Sequence, residues 1–288
     1  MPLLIELIKT FIIGVIQGIT EWLPVSSTGH MILFNSFWSL NVSPAFWDMF
    51  SVVIQLGSIM AVVVLYFSKL NPFAPSKSAA QKKSTWNLWG KVVVGSIPIA
   101  IVGILIEDWL EALLYSDGSE LEIKTTGIIV IAAALIVYGV AFILIDKLKK
   151  TNNESQTTDD ISYIKALGIG AFQALAVIPG TSRSGSTILG ARMLGVSRPV
   201  AAEFSFFLAI PAMLGASFLK AVKYLIVDKI EISSQEWLIL AVGCIVAFVV
   251  SLIAIRFLTD FVKKHTFIPF GIYRIILGIV VALWAFLK

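Results

Sequence analysis

Pro179-Gly180-Thr181-Ser182-Arg183-Ser184-Gly185 interrupts an otherwise apolar part of the chain and divides it into two pieces. The piece before it, residues 163–178, has the composition of a membrane helix, whereas the piece after it, residues 186–194, is too short to cross a bilayer. Non-helical backbone at membrane depth is tolerated only where it is buried in protein or lines a cavity. The pattern therefore predicts a re-entrant helical hairpin rather than two crossings.

The same plan occurs near the start of the chain. Residues 3–23 are mostly apolar, Pro24-Val25-Ser26-Ser27-Thr28-Gly29 breaks them, and residues 31–40 form only half of a span. Identical residues recur at an offset of 156 positions: Gly14 and Gly170, Gln17 and Gln173, Ser26 and Ser182, Gly29 and Gly185. This recurrence indicates an internal duplication, with one hairpin in each copy.

The composition of the whole chain is that of a membrane protein. Charged residues make up 14% of the 288 positions, against roughly 25% in soluble domains. Because lipid offers no partner for free backbone groups, and strand-like alternation is absent, the apolar runs are predicted to be helices. Six runs outside the hairpins are long enough to span a bilayer: residues 45–67, 88–109, 125–145, 200–225, 237–257 and 267–287.

Each half of the chain therefore has one hairpin and three spans, and an odd number of spans requires the second half to be inverted. The predicted fold class is an all-α integral membrane protein with two inverted-topology repeats, each a re-entrant helical hairpin plus three transmembrane helices. We treat residues 1–288 as one membrane domain, with repeats at 1–150 and 161–288 and a polar linker at 151–160. The two hairpins would meet near the midplane.

Loop charges predict the orientation and explain the net charge of +4 without a nucleic-acid partner, because basic residues are not interleaved with aromatic ones. The loop after residue 111 is acidic, with Glu111, Asp117, Glu120 and Glu122. The positive-inside rule makes the lysine-bearing connections cytoplasmic, which places the first hairpin toward the outside. These lysines are Lys69, Lys77, Lys82, Lys83, Lys147, Lys149, Lys150, Lys263 and Lys264.

Glu21 is the first candidate functional residue. It lies one helical turn after Gln17, so the two side chains share a face just before the first break. A carboxylate at mid-membrane costs roughly 2.5–3.5 kcal/mol on insertion scales, which argues against an idle one. The alternative is an interfacial carboxylate on a hairpin that barely enters the membrane.

The first break adds hydroxyls and an imidazole. Ser26 and Ser27 are ordinary helix caps in the structural interpretation, yet the same geometry points backbone N–H groups at an anion. His30 is one of two histidines and titrates near neutral pH; a buried, hydrogen-bonded structural histidine is the alternative. This segment therefore supplies candidate nucleophiles and a candidate proton carrier.

The second break supplies a cation. Arg183 is a permanently charged fork suited to phosphate oxygens, and Ser182, Ser184 and Thr187 surround it with hydroxyls. A purely structural ion pair between Arg183 and Glu21 would explain the charges but not the hydroxyls. Together the two breaks carry the groups that phosphoryl transfer needs, where positioning and charge neutralisation supply most of the catalysis. Four more polar residues either line the cavity or form interhelical hydrogen bonds: Asp48, Ser51, Gln55 and Glu203.

The chain resembles the undecaprenyl-diphosphatase, or bacitracin-resistance, family of bacterial membrane proteins. The signature [E/Q]xxxE followed by PVSSxGH matches Gln17–Glu21 and Pro24–His30, and the signature PGxSRSxxT matches Pro179–Thr187. The resemblance implies hydrolysis of undecaprenyl diphosphate to the monophosphate and phosphate at the outer face of the plasma membrane, in contact with membrane lipids. It also implies bacitracin resistance, a homodimer, and a divalent cation, Mg²⁺ or Ca²⁺, for which Glu21 is a candidate ligand. Gln17 replaces a glutamate there, so we assign it an orienting or substrate-binding role.

These observations assign Glu21, Ser27, His30 and Arg183 as catalytic. Gln17, Ser26, Ser182, Ser184 and Thr187 are assigned to substrate binding. Ser27 is the predicted nucleophile with His30 as its proton partner, and attack by His30 or by water stays open. Two other functions stay open as well: a flippase for the phosphorylated lipid, which an inverted repeat favours, and a phosphatase for other lipid phosphates.

Overall fold

A computed structural model describes residues 2–115, 123–148 and 155–287. These ranges are helical and contain no strand, apart from two isolated bridges, Tyr115 with Ile123 and Ser155 with Val196. Part of the predicted linker, residues 151–154, lies outside the described residues. So do five of the loop charges that were used to predict orientation: Asp117, Glu120, Glu122, Lys149 and Lys150.

The helices follow the two halves of the sequence. In the first half they are α1 (Pro2–Thr20), α2 (Ser27–Phe37), α3 (Pro44–Val53), α4 (Gln55–Leu65), α5 (Phe67–Leu70), α6 (Ala79–Leu114) and α7 (Thr125–Leu148). In the second half they are α8 (Tyr163–Ala174), α9 (Arg183–Met193), α10 (Arg198–Val222), α11 (Ser234–Lys264) and α12 (Ile268–Leu287). Short 3₁₀ turns at Thr158–Asp160 and Leu175–Val177 and a π-turn at Lys223–Val227 complete the chain.

Seven helical segments of the described chain are long and apolar enough to cross a membrane. Six coincide with the six predicted spans, and α3 and α4 together form one of them, Pro44–Leu65. The seventh is Leu3–Thr20, the first arm of the first predicted hairpin, which alone has the length of a span. The chain is therefore a multi-pass helical membrane protein.

Both interrupted segments turn back on themselves. After α2, the backbone carbonyl of Ser39 accepts a hydrogen bond from Lys9 Nζ at 2.7 Å, and the N–H of Asn41 donates to Glu6 at 2.8 Å. The end of α2 thus lies beside the start of α1. In the second segment, Leu194 at the end of α9 packs against Gly168 near the start of α8.

Helix α10 lies at the centre of the bundle. It packs against α3, α4, α6, α9 and α11. Its inner positions carry fully buried aromatic side chains, Phe204, Phe206 and Phe207. The outer helices expose aliphatic side chains on the surface of the bundle. Ile104, for example, is 75% exposed. Large exposed aliphatic groups over so much of the surface are expected where the solvent is lipid.

Two glycines set the closest helix contacts. At Gly57 the backbone of α4 meets the carbonyl of Cys244 in α11, and at Gly170 the backbone of α8 meets the carbonyl of Gly95 in α6. A Cβ at either position would overlap that carbonyl. Small residues that allow such close approach are the usual means of helix association in membranes. Gly170 therefore helps to fix α8, the arm that leads into the second break, against α6.

A buried ion cluster joins four helix ends on the side opposite to the start of the chain. Asp146 near the end of α7 is fully buried and accepts a hydrogen bond from Arg198 Nε at 2.9 Å. Its second oxygen accepts from the backbone N–H of Phe267, just before α12. Arg192 of α9 approaches the same carboxylate at 3.8 Å. The cluster ties the end of the second hairpin to α7, α10 and α12.

Candidate active site

The two breaks have the same local backbone. Ser26 has a φ of 77° and Ser182 a φ of 73°, in the left-handed region that non-glycine residues seldom adopt. Each serine then caps the following helix, with Oγ accepting from the N–H of Gly29 at 3.3 Å or of Gly185 at 3.1 Å. Such backbone costs of order 1–3 kcal/mol and clusters at functional sites. The repeat in sequence is thus a repeat in local structure.

Arg274 of α12 holds the two breaks together. Its side chain is fully buried and donates to the carbonyl of Pro24 at 3.1 Å in the first break. In the second break it donates to the carbonyls of Gly180 at 2.8 Å and Thr181 at 2.9 Å. No ion pair with a carboxylate is found for it among the described residues; the carbonyls accept from its two Nη groups, and its Nε has no partner.

Glu21 and Arg183 form an ion pair across the two halves of the sequence. Arg183 Nη2 lies 2.9 Å from Glu21 Oε1, and the side chains are only 10% and 5% exposed. Nη1 of Arg183 donates to the carbonyl of Ser205 at 3.0 Å, and the guanidinium lies 5.5 Å from the ring centre of Trp22. Its Nε has no partner. Arg183 therefore keeps one buried donor unused beside a carboxylate.

The second carboxylate oxygen of Glu21, Oε2, accepts two hydrogen bonds. Gln17 Nε2 donates to Oε2 at 3.0 Å, and Ser27 Oγ donates to the same oxygen at 3.0 Å. The carboxylate is thereby held between an amide, a hydroxyl and a guanidinium. Glu21 accepts a hydrogen bond from the hydroxyl of Ser27. Its carboxylate is therefore placed to act as a general base for the Ser27 oxygen.

His30 does not contact Ser27, the residue with which the sequence analysis paired it. Its Nδ1 lies 2.6 Å from the carbonyl oxygen of Ser26, and its Nε2 lies 2.6 Å from the hydroxyl of Tyr273. A carbonyl can only accept, so Nδ1 carries a proton, and in the neutral ring Nε2 accepts from Tyr273. Both ring nitrogens are thus occupied, and the hydroxyl of Ser27 is directed to Glu21 instead.

A cavity of about 220 Å³ lies where the breaks meet. Its polar side is formed by Glu21, Ser27, Thr28, Ser182 and Arg183. Helices α2 and α9 both begin at this side, and the first N–H groups of a helix lack intrahelical partners and favour anions. Its opposite side is apolar and includes Ile99 of α6 and Met213 of α10.

Four predicted site residues lie behind the cavity rather than on its wall. Ser26 is 1% exposed and uses its hydroxyl as the cap of α2. Ser184 donates to the carbonyl of Leu23 at 3.3 Å, and Thr187 is fully buried against the hydroxyl of Ser205 at 2.5 Å. Gln17 is likewise fully buried. The structure places these groups in contact with protein, around the residues that face the cavity.

The structure gives different surroundings to the polar residues that were expected either to line the cavity or to form interhelical hydrogen bonds. Gln55 lines the cavity, and its Nε2 lies 3.5 Å from the carbonyl of Ser51 in the previous turn. Glu203 forms an ion pair with Lys69 at 2.9 Å, as an interhelical contact. Asp48 borders a different, smaller depression beside Lys220 and Asp228.

Arg274 and Tyr273 were not predicted from the sequence as site residues. The signal was present, because an arginine and a tyrosine lie inside the predicted span 267–287, and an ionisable residue within a span is a functional candidate by default. They were not selected because no polar motif lies next to them in the sequence. Their carbonyl and imidazole partners lie about 90 to 250 positions away in the chain.

The described residues contain no group of three or more His, Cys, Asp or Glu side chains that could hold a metal ion. Glu21 is the single carboxylate of the cavity, but Gln17 offers a second oxygen, Oε1, which is buried and has no partner. One or two protein oxygens completed by substrate phosphates is the usual way in which proteins hold Mg²⁺. A cation here would need substrate phosphates for most of its ligands.

The chain is similar to known proteins over nearly its whole length. Residues 10–280 match the family model described as bacitracin resistance protein BacA. An undecaprenyl-diphosphatase of Enterococcus faecalis is 53% identical over 280 residues, which cover 96% of this chain and 97% of the relative. An undecaprenyl-diphosphatase of Streptococcus pyogenes serotype M4 is 52% identical over 288 residues, with 99% of both chains covered. This chain belongs to the BacA bacitracin-resistance family.

Proposed function

We propose that this chain hydrolyses undecaprenyl diphosphate to undecaprenyl phosphate and inorganic phosphate. The reaction recycles the lipid carrier for cell-wall synthesis and confers resistance to bacitracin. The observation that carries the proposal is the ion pair between Glu21 and Arg183, with Ser27 on the same carboxylate, at the wall of a cavity. Relatives that cover nearly the whole chain carry the name of this activity.

Substrate binding in this proposal begins with Arg183. Its guanidinium and the helix starts at Ser27 and Arg183 offer donors to the diphosphate oxygens. Ser182 lies on the cavity wall, whereas Ser26, Ser184 and Thr187 support that wall from behind. An anion that enters also competes with Glu21 for the guanidinium, which frees the carboxylate to accept a proton.

The reaction step uses Ser27 and Glu21. Ser27 Oγ forms a bond to the terminal phosphorus, while the bond from that phosphorus to the bridging oxygen breaks and undecaprenyl phosphate leaves. Glu21 Oε2, 3.0 Å from Oγ, takes the hydroxyl proton. Water then attacks the phosphoserine, which releases inorganic phosphate and restores Ser27. If water attacks the diphosphate directly, Glu21 accepts the proton of that water instead.

His30 and Gln17 act as positioning residues in this scheme. The Nδ1–H of His30 fixes the carbonyl of Ser26, which precedes the nucleophile in the left-handed break. Gln17 orients Glu21 through its amide at 3.0 Å. A role for His30 as nucleophile or proton partner requires it to release Ser26 or Tyr273 first, so we favour Glu21 as the base.

A divalent cation, Mg²⁺ or Ca²⁺, is part of the proposal. Glu21 and Oε1 of Gln17 would hold it together with the phosphate oxygens. Its chemistry would be to neutralise the charge that gathers on the phosphate oxygens as the bridging bond breaks.

The membrane arrangement in this proposal follows the sequence. Both hairpins are re-entrant, and residues 1–150 and 161–288 form inverted repeats of one membrane domain, joined by residues 151–160. The equal local geometry at Ser26 and Ser182 supports this duplication. The lysine distribution supports an active site that opens to the outer face of the bacterial plasma membrane. A homodimer, implied by the family resemblance, stays a proposal.

Phosphate release in detergent tests the proposed function. Purified protein in detergent micelles, given undecaprenyl diphosphate and Mg²⁺ or Ca²⁺, should release inorganic phosphate catalytically. Micelles have no two sides to cross, so a protein that only moves the lipid across a membrane would release none. Lipid movement in vesicles without phosphate release would favour a flippase, and release from other lipid phosphates at equal rates would remove the assigned substrate.

Replacing Arg274 with lysine tests the joining of the two breaks. Lysine keeps the charge but has one ammonium in place of the fork that reaches Pro24, Gly180 and Thr181. Because small displacements of catalytic groups cost about 10²-fold, we expect Arg274→Lys to lower kcat by about that factor, with KM changed less. Arg256→Lys, at an exposed position of α11, should keep normal activity. A loss confined to protein stability, with normal kcat per folded molecule, would contradict a positioning role.

A further inference from the structure

The apolar side of the cavity leads to a gap between helices α6 and α10. The two helices touch near their middles, where a Cβ added to Gly95 would lie 2.7 Å from Leu208 Cδ2. Further along each helix there is open space, since a Cβ added to Gly103 of α6 or to Gly215 of α10 would meet no atom within 4 Å. Neither helix is covered by a neighbour at these positions.

Both helices carry an internal proline just after the point where they touch. Pro98 follows Gly95 by three residues, and Pro211 follows Leu208 by three residues. Proline removes a backbone hydrogen bond and clashes with the preceding turn, so it favours a kink in a helix. The two prolines therefore stand at matching levels of α6 and α10, beside the contact between Gly95 and Leu208.

The gap is continuous with the catalytic cavity. Ile99 of α6 and Ala212, Met213 and Ala216 of α10 line that cavity together with Glu21 and Arg183. Ile99 and Ala212 each come directly after one of the two prolines. We define the α6–α10 gap by its lining residues, Ile99, Gly103, Ala212, Gly215 and Ala216. Small residues on the α10 side keep it open.

The outer border of the gap is apolar and faces lipid. Leu105 of α6 is 74% exposed, and Phe218 of α10 is 68% exposed. A cavity of about 220 Å³ is smaller than those that enclose drug-sized ligands, so it can hold a diphosphate and little of a long chain. The rest of a membrane lipid must leave sideways, between helices and into the bilayer.

We propose that the α6–α10 gap is the lateral port through which the prenyl chain of the substrate passes from the cavity into the membrane. The inference rests on the proposed function, because it takes the diphosphate to lie at Arg183. It adds a second recognition element, since the first isoprene units contact α6 and α10 while the remaining chain stays in lipid. The gap then selects for a chain narrow enough to thread between two helices.

The substitution Ala216→Trp tests the port by filling it. Ala216 lines the cavity at an exposed position of α10, so an indole there fills the apolar side and obstructs the chain. We expect KM for undecaprenyl diphosphate to rise by about tenfold, with kcat within about threefold, since binding rather than chemistry is impaired. The matched control is Ala133→Trp, at an exposed alanine of α7. Equal KM values for the two folded variants would overturn the proposal.

Photolabelling of the wild-type protein tests the port without any substitution. The probe is a prenyl diphosphate with a diazirine on its second isoprene unit, used with and without excess undecaprenyl diphosphate. Competed label should fall on residues 98–105 and 211–218. Competed label confined to other helices, or label that phospholipid alone removes, would overturn the port while leaving the phosphatase proposal intact. Absence of phosphate release from wild-type protein would instead contradict the proposed function. The labelling pattern would still show whether a prenyl chain lies in the α6–α10 gap.

Discussion

Arg183→Ala should lower the rate of phosphate release by about 1,000-fold, while the protein remains folded. The substitution removes the guanidinium that we place against the diphosphate, and one buried donor to a developing negative charge is worth about 10²–10³ in kcat. It also leaves Glu21 buried beside Gln17 and Ser27 without its cation. The measurement is phosphate release from undecaprenyl diphosphate by purified protein, normalised to the folded fraction.

Two further arginine variants show which property of Arg183 matters. Arg183→Lys keeps a charge but loses the fork that serves both Ser205 and Glu21, so its rate should fall between those of wild type and alanine. Arg256→Ala removes an exposed arginine from α11 and should behave as wild type. Near-normal turnover of folded Arg183→Ala would contradict a role of Arg183 in substrate binding. It would favour the alternative that its ion pair with Glu21 is purely structural.

The helical architecture was predictable because lipid imposes strong constraints on sequence. Each of the six predicted spans coincides with a helical segment of the structure, since an apolar run must satisfy its own backbone hydrogen bonds. The two breaks were visible for the same reason, as polar residues where apolar ones are expected. What the sequence did not reveal is the packing: no pattern predicts that Gly170 meets the carbonyl of Gly95, because the fit depends on surfaces that are distant in the chain.

The residue types of the site could be predicted from the sequence, but most of their hydrogen-bond partners could not. Glu21 and Arg183, separated by 162 positions, lie in contact and line the cavity together with Ser27 and Ser182. Other motif residues do not line it: Gln17, Ser26, His30, Ser184 and Thr187. The hydroxyl of Ser27 meets Glu21 and not His30, because the left-handed backbone at Ser26 turns the helix start toward α1. Spacing along the chain shows that two groups are near each other, but not which of several neighbours accepts a given proton. The hydrogen bonds of Arg274 go to backbone carbonyls, which every residue carries, so these partners leave no trace in the sequence.

Glu21→Gln should lower kcat by about 10²- to 10⁴-fold, which is the usual contribution of a positioned general base. Glutamine has nearly the shape of glutamate and can still accept a hydrogen bond from Ser27, but it cannot take up the proton. It also leaves the Arg183 charge without a carboxylate, so the variant should be less stable than wild type. Glu231→Gln, at an exposed position before α11, is the matched control and should keep normal turnover.

The double variant Glu21→Gln with Ser27→Ala separates the two routes by which Glu21 can act. If Ser27 is the nucleophile and Glu21 its base, the two form one unit, and the double variant should be no slower than the slower single variant. If Glu21 activates water, Ser27→Ala alone should keep most of the activity, and the phosphorylated serine should not form. Mass spectrometry of enzyme quenched during turnover distinguishes these cases, because a phosphoryl group on the peptide containing Ser27 appears only in the first. Full activity of Glu21→Gln per folded molecule would contradict both routes, since each requires a group at this position that can accept a proton.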